Sequence, residues 1–200
     1  MLPETVLTGK ENPQALADTL APEDISHLVA LLQEKADDLR YASFLTLCAR
    51  SDVYSDVYPY WDEFEGKLNN ENSYQRSIGL MLIAHNVKWD TLHRFPAIFD
   101  AYMARCTDEK FITSRQAIQH IGLWAPYASE LLHQTAQTLM NINILSFKDT
   151  QRKLILLDIL HALAGIRRIA QIEEIDAYIQ SALTGGILDK KSIKEIQGLL

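Results

Sequence analysis

Cysteine, glycine and long apolar runs are all scarce in this sequence, and each shortage excludes a class of protein. Only Cys48 and Cys106 occur, 58 residues apart, so neither a disulfide framework nor a cysteine-rich metal motif is predicted. None of the eight glycines belongs to a phosphate-binding or dinucleotide-binding pattern. No apolar stretch approaches the roughly 18 residues that a membrane-spanning helix needs.

The first ten residues and the overall charge narrow the class further. The segment lacks a basic start and an apolar centre, which is not the pattern of a signal peptide. With the two isolated cysteines, this predicts a cytoplasmic protein. The net charge of −7 disfavours nucleic acid as a partner, because binding to phosphates depends on lysine and arginine displacing counterions. A hydrophobic fraction of 48% is typical of a folded globular chain.

Four densely apolar segments recur along the chain, and each begins with an arginine. The intervals between these arginines are 36, 39 and 37 residues. A proline precedes each of the first three arginines by 17 to 19 residues, which suits the first turn of an earlier helix. The pattern predicts a repeated pair of helices, A and B, of about 37 residues. The arginines are Arg40, Arg76, Arg115 and Arg152, and the prolines are Pro22, Pro59 and Pro96.

The B segments are apolar nearly all round, whereas the A segments have a narrower apolar stripe. Stacked hairpins produce this asymmetry, with B helices inside the array and A helices outside. The predicted fold is therefore all-α, a right-handed α-solenoid of about five stacked helical hairpins. Residues 1–12 are predicted to be a flexible N-terminus, and 13–200 a single domain. The predicted repeats cover about 22–51, 52–88, 89–126, 127–166 and 170–200.

The period, the proline in helix A and the arginine in helix B resemble HEAT-type repeats, with armadillo-like packing as the near alternative. Residues 51–90 and 107–121 are in addition similar to a group of small Firmicute proteins, and the similarity extends from about Leu39 to Leu163. Proteins of this group often carry the name of an iron–sulfur assembly scaffold. Such a scaffold needs thiolate or imidazole ligands close together. Two cysteines in different repeats do not supply them, so no cofactor and no metal site are predicted.

The recurring arginines themselves are the first candidate site. A ladder of Arg40, Arg76, Arg115 and Arg152 along one edge of the B layer could bind anions or nucleic acid. The alternative is pairing with carboxylates, among them Asp158, which lies within an apolar segment and needs a partner if it is buried. We favour the pairing interpretation.

The second candidate is a cluster at the junction of the second and third repeats, formed by His85, Trp89, Asp90 and His93. A histidine and an aspartate beside an aromatic ring could perform acid–base chemistry. The favoured alternative is structural, with Asp90 capping the next helix and Trp89 packing over the junction. The Trp-Asp pair also resembles, weakly, the HEAT-like glycosylases of DNA alkylation repair.

The third candidate is an unusual mixture of aromatic and acidic residues between positions 54 and 65. Such a surface could hold a basic peptide, since tyrosine and tryptophan are enriched at binding hot spots. The alternative is that the rings follow helical spacing and face the core. The candidate partner-binding residues are Tyr54, Tyr58, Tyr60, Trp61, Asp62 and Glu63.

No residue pattern indicates a catalytic group, so the predicted function is a non-enzymatic module that binds a protein or peptide on a solenoid surface. Two alternatives stay open. One is a HEAT-like DNA-repair glycosylase or other nucleic-acid binder, and the other is a structural homo-oligomer. The sequence names neither the partner nor the oligomeric state.

Overall fold

The computed structural model describes residues 3–200 and is all-helical. Helices hold 75% of the chain, and residues 3–200 contain no strand. The predicted fold class, all-α, is therefore confirmed. Within the same residues, no helix combines the length and the apolar character needed to cross a membrane.

The chain divides into two compact units, Met1–Phe95 and Pro96–Leu200, where the sequence predicts a single domain. The helices of unit 1 are α1 (Pro3–Gly9), α2 (Pro13–Thr19), α3 (Pro22–Leu31), α4 (Asp37–Val53), α5 (Trp61–Glu65) and α6 (Ser73–Asn86). Helix α7 (Phe95–Met103) begins at the boundary. Unit 2 continues with α8 (Phe111–Gln119), α9 (Ile121–Trp124), α10 (Leu132–Met140), α11 (Asp149–Arg167), α12 (Glu173–Thr184) and α13 (Lys190–Gln197). Short 3₁₀ turns connect several of these helices.

Helix α4 is the centre of unit 1. It contacts α1, α2, α3 and α6, and α6 also contacts α5. The guanidinium of Arg50 in α4 donates a buried hydrogen bond of 2.8 Å to the carbonyl of Ala17, which holds α2 against α4. Helices α1 and α2 begin within or just after the segment predicted to be flexible, and Val6 of α1 is fully buried. The flexibility of that segment in solution stays a prediction.

Helix α11 is the centre of unit 2, because it contacts α8, α9, α10, α12 and α13. Most of its apolar residues are buried, and Ile155 and Ile159 fully so, whereas Leu154 is partly exposed. Trp124 and Tyr102 fill the same unit's core, with ring centroids 6.0 Å apart in an edge-to-face arrangement. Helix α11 is apolar nearly all round because other helices pack against several of its sides.

The three prolines lie at or just before the starts of helices, as the sequence predicts. Pro22 opens α3, Pro59 lies in the 3₁₀ turn before α5, and Pro96 is the second residue of α7. A proline is tolerated there because the first amide groups of a helix have no partner within it. Helix α12 ends at Thr184, just before Gly186, whose φ of 80° favours glycine.

Candidate functional site

Arg40 and Arg76 each bind the backbone of the turn before their own helix. The amide N–H of each bonds the carbonyl four residues earlier, so both arginines occupy the same place in the first turn. The guanidinium of Arg40 donates to the carbonyl of Glu34 at 2.8 Å, and that of Arg76 donates to the carbonyl of Asn70 at 2.8 Å. Both carbonyls lie six residues before the arginine, so these side chains fasten a turn to the following helix.

Arg152 performs the same task at the start of α11, where its guanidinium bonds the carbonyls of Leu145 and Phe147, each at 3.0 Å. In α8 the equivalent place belongs to Ser114, whose hydroxyl donates to the carbonyl of Asp108 at 2.9 Å, again six residues earlier. Arg115 therefore lies one position beyond the other three arginines, which is why its interval from Arg76 is the longest.

Arg115 contacts a different partner, the carboxylate of Asp158 in α11. Its Nε donates to Oδ2 at 2.5 Å and its Nη2 donates to Oδ1 at 3.0 Å. The proximity of this carboxylate raises the pKa of Arg115. Arg115 is thus the partner that Asp158 requires within its apolar segment. The contacts of the four arginines favour the pairing and capping interpretation over an anion-binding ladder.

The junction candidate supplies hydrogen bonds to the C-terminal end of α4. Trp89 Nε1 donates to the carbonyl of Ser51 at 2.7 Å, and Lys88 Nζ donates to the carbonyl of Asp52 at 2.7 Å. His85 Nδ1 lies 2.8 Å from the carboxylate of Asp52. The last carbonyls of a helix have no partner within it, so these side chains complete the end of α4.

Asp90 caps the start of α7, as the structural interpretation predicts, although it lies several residues before the helix. Its two carboxylate oxygens accept the backbone N–H groups of Arg94 at 2.9 Å and Phe95 at 2.7 Å. The Tyr58 hydroxyl donates to the same carboxylate at 2.6 Å, and burial together with this contact raises the pKa of Tyr58 to about 12. His93 is exposed with a left-handed φ of 52°. Asp90 therefore binds backbone and tyrosine rather than a histidine.

The aromatic and acidic stretch divides into core and surface residues. Trp61 is fully buried in unit 1, so it belongs to the core and not to the candidate surface. Tyr60 is half-buried, and Tyr54 is 37% exposed with the Arg50 guanidinium 3.7 Å from its ring centroid. The carboxylate of Asp62 pairs with Arg94, which leaves Glu63 as an exposed acid on this segment. Burial of Trp61 and pairing of Asp62 weaken the case for a basic-peptide site here.

A groove of about 520 Å³ lies in unit 2. One wall comes from the end of α8 and from α9, the other from the second half of α11. Its volume lies in the range of ligand sites, which are mostly apolar with a few polar groups. The lining residues are Ile118, Gln119, Gly122, Ala125, Asp158, His161, Ala162, Gly165, Ile166, Arg168 and Ile169.

The groove follows from a mismatch in helix length. Helix α11 has 19 residues, whereas α8 has 9 and is followed, after a break at His120, by the 4 residues of α9. The second half of α11 therefore extends past the end of the shorter helix α8. The lining residues of α11 from Asp158 to Ile166 recur at intervals of three and four, which places them on one helix face, and Arg168 and Ile169 follow in the turn after the helix. At 1.5 Å per residue the helical part of this face is about 12 Å long.

Gly122 on one wall and Gly165 on the other each face open space, and we call these two positions the open floor of the groove. A Cβ built on either glycine would have no heavy atom within 4 Å. Gly79 in α6 is different, since a Cβ there would lie 2.6 Å from the carbonyl oxygen of Phe64. Packing requires glycine at position 79, but no contact within the fold requires glycine at 122 or 165. Because glycine weakens a helix relative to alanine, the open floor is a feature that the fold alone does not explain.

Charged groups stand at the two ends of the groove. At one end, Asp158 accepts hydrogen bonds from Arg115 and, at 2.9 Å, from Gln119 Nε2. At the other end, Arg168 is exposed and donates to the carbonyl of Leu199 at 3.0 Å. Apolar side chains such as Ile166 lie between these ends.

Sequence reasoning does not find this groove, apart from the arginine and the aspartate at one end of it. Its one local signal is a glycine inside an otherwise apolar helical segment, as at Gly165. The cysteines do not contribute to any site, because Cys48 and Cys106 are both buried. Residues 3–200 contain no group of three or more histidine, cysteine or acidic side chains placed to hold a metal ion.

No protein-family model matches the chain, and no curated protein matches it at a significant level.

Proposed function

We propose that this protein is a non-enzymatic interaction module built from HEAT-like helical hairpins, and that it binds a peptide segment of a partner protein in the groove of unit 2. The hairpin interpretation has local support in both units. Consecutive B helices contact each other, α4 with α6 in unit 1 and α8 with α11 in unit 2. The first turns of α4, α6 and α8 each contain a side chain that bonds a carbonyl six residues earlier, and Arg152 in the first turn of α11 bonds carbonyls five and seven residues earlier.

The open glycine floor is the observation that carries the binding proposal. Gly122 and Gly165 allow a ligand to approach the helix backbone closely, and the apolar walls favour a ligand with apolar side chains. A length of about 12 Å accommodates roughly two turns of helix or four extended residues. That is the size of a short linear segment in a helix-binding groove.

Selection from a library of random peptides tests this proposal on the full-length chain. We expect the selected peptides to bind the wild-type protein and to lose at least about tenfold in affinity on Gly165→Leu, because the leucine side chain fills the groove. The added Cβ has no neighbour within 4 Å, so the variant should fold. Circular dichroism and thermal unfolding verify that it does.

Gln180→Leu is the matched control, since it adds the same side chain to an exposed position of α12 outside the groove. Peptides that bind through the groove should bind this variant as they bind the wild type. A selection that yields no binders, or binders equally tolerant of both variants, would show that the groove is not a peptide site.

A further inference from the structure

Within residues 3–200, no carboxylate pairs with the guanidinium of Arg168, which lies at one end of the groove. Every other arginine of unit 2 has a carboxylate within 4 Å. Its neighbour Arg167, for example, pairs with Asp176 at 2.5 Å. For Arg168, the residues that the structure describes provide one hydrogen bond, to the carbonyl of Leu199. A guanidinium has five N–H donors, so most of the donors of Arg168 face solvent.

This cation lies in a unit without excess negative charge. The net charge of −7 comes from residues 1–95, because residues 96–200 contain 11 acidic residues and 11 lysines and arginines. The second arginine near the groove, Arg115, is neutralised by Asp158 at the opposite end. His161, which also lines the groove, lies 3.1 Å from the carboxylate of Glu195. Arg168 is thus the arginine of the groove that has no carboxylate partner among the described residues, and the apolar side chains of Ile166 and Ile169 line the groove beside it.

From this arrangement, and resting on the proposed function, we infer that the segment bound in the groove carries an aspartate or glutamate side chain next to its apolar anchor, and that this carboxylate pairs with Arg168. Arg168 lies three residues after Gly165, which corresponds to about 4.5 Å along the axis of α11. An anchor seated over Gly165 would therefore place its acidic neighbour within about one helical turn.

The acid is an internal side chain of the partner rather than a terminal carboxylate. Ile169 lines the groove beyond Arg168 and is 43% exposed, so apolar surface continues past the cation. A segment that covers Ile169 runs on past Arg168, and its backbone does not end there. Charge complementarity of this kind determines partner choice and orientation more than affinity.

The experiment repeats the selection with the same random peptide library on the wild-type chain, Arg168→Glu and Lys191→Glu. Lys191 is exposed, lies in α13 outside the groove and undergoes the same change of charge. We call a peptide groove-dependent if it loses affinity on Gly165→Leu. We expect the groove-dependent peptides selected on the wild type and on Lys191→Glu to be enriched in aspartate and glutamate. Peptides selected on Arg168→Glu should instead be enriched in lysine and arginine.

A synthetic pair then measures the preference directly. For one selected peptide, replacing its acidic residue by lysine should weaken binding to the wild type by about fivefold or more, the scale of an exposed ion pair, and should strengthen binding to Arg168→Glu. Groove-dependent peptides without acidic enrichment, or with the same preference on Arg168→Glu, would overturn this inference and leave the proposed function intact. A selection without groove-dependent peptides would overturn both.

Discussion

Asp158 of α11 and Arg115 of α8 form a two-point ion pair, with hydrogen bonds of 2.5 and 3.0 Å. The aspartate side chain is only 9% exposed and that of the arginine 25%. The pair joins α8 and α11 across the end of the groove, and Gln119 donates to the same carboxylate. Burying the Asp158 carboxylate without its partner would cost folding free energy, so the ion pair favours the observed packing of α8 against α11.

Arg115→Met should therefore destabilise the protein by about 2–3 kcal/mol, because it leaves the carboxylate of Asp158 largely buried without its guanidinium. Urea unfolding followed by circular dichroism measures the change. The double variant Arg115→Met with Asp158→Leu should recover most of the loss, since no charge stays buried. If the double variant loses as much stability as the two single variants together, the two side chains are not energetically coupled.

The two kinds of helical glycine should respond in opposite directions to alanine. Gly79→Ala places a Cβ 2.6 Å from the carbonyl oxygen of Phe64, so we expect a loss of about 2 kcal/mol or more. Gly165→Ala meets no atom within 4 Å and should stabilise the protein by about 0.5–1 kcal/mol, because alanine is the better helix former. Thermal unfolding of both variants tests the pair. Equal losses would mean that Gly165 is required by the fold.

The helices could be predicted from the sequence because their signals are local. An arginine or a proline in a first turn, and apolar residues on several sides of a segment, depend on few neighbours. Pro22 and Arg40 identify helix starts in this way, and Gly186 marks the end of α12. The capping of α7 by Asp90 was also predictable, since aspartate is a common cap.

The groove could not be predicted, because it depends on the lengths of two helices that are distant in sequence. The break at His120, which shortens one wall, has no proline or glycine at the break itself, because Gly122 lies within the following helix. Trp61 shows a second difficulty. Its aromatic and acidic neighbours suggest a binding surface, but only the packing of α5 against α6 reveals that the ring is buried. Composition alone does not distinguish the two faces of a short helix.

Trp61 and Tyr54 should have very different effects on stability, although both belong to the same aromatic stretch. Trp61→Ala removes a fully buried ring and should cost about 3–5 kcal/mol. Tyr54→Ala should cost about 1 kcal/mol or less, since it removes a partly exposed ring that stacks on the Arg50 guanidinium. Chemical denaturation measures both. A small loss for Trp61→Ala would place this ring at the surface.

Both thiols should be unreactive in the native protein. Burial raises the pKa of Cys106 to about 12, and that of Cys48 well above its ordinary value. The thiolate is the reactive form, so little of it is present at neutral pH. With excess Ellman's reagent at pH 8 we expect slow labelling at a rate limited by opening of the structure, and rapid labelling of two thiols in denaturant. Immediate labelling of either thiol without denaturant would contradict this.

Asp189 should make the stability of the C-terminal end depend on pH in the acidic range. Its carboxylate accepts the backbone N–H of Ser192 at 2.8 Å, which caps α13, and the ammonium of Lys153 at 2.9 Å. These contacts lower the pKa of Asp189 below its ordinary value of 3.8. A group whose folded pKa is lowered contributes stability above its unfolded pKa, and the contribution is lost as the pH falls through the folded pKa.

Asp189→Ala should consequently lower the melting temperature at pH 7, and the difference from the wild type should shrink as the pH falls below 3.8. Asp189→Asn is the informative control. Asparagine retains an oxygen for the cap but loses the charge that attracts Lys153, so its melting temperature should lie between the other two at pH 7 and depend less on pH than that of the wild type. Thermal unfolding followed at 222 nm by circular dichroism, the helical signal, between pH 7 and pH 3 gives the three curves. If the melting temperature of the wild type exceeds that of Asp189→Ala by the same amount at every pH, the carboxylate does not contribute through its charge.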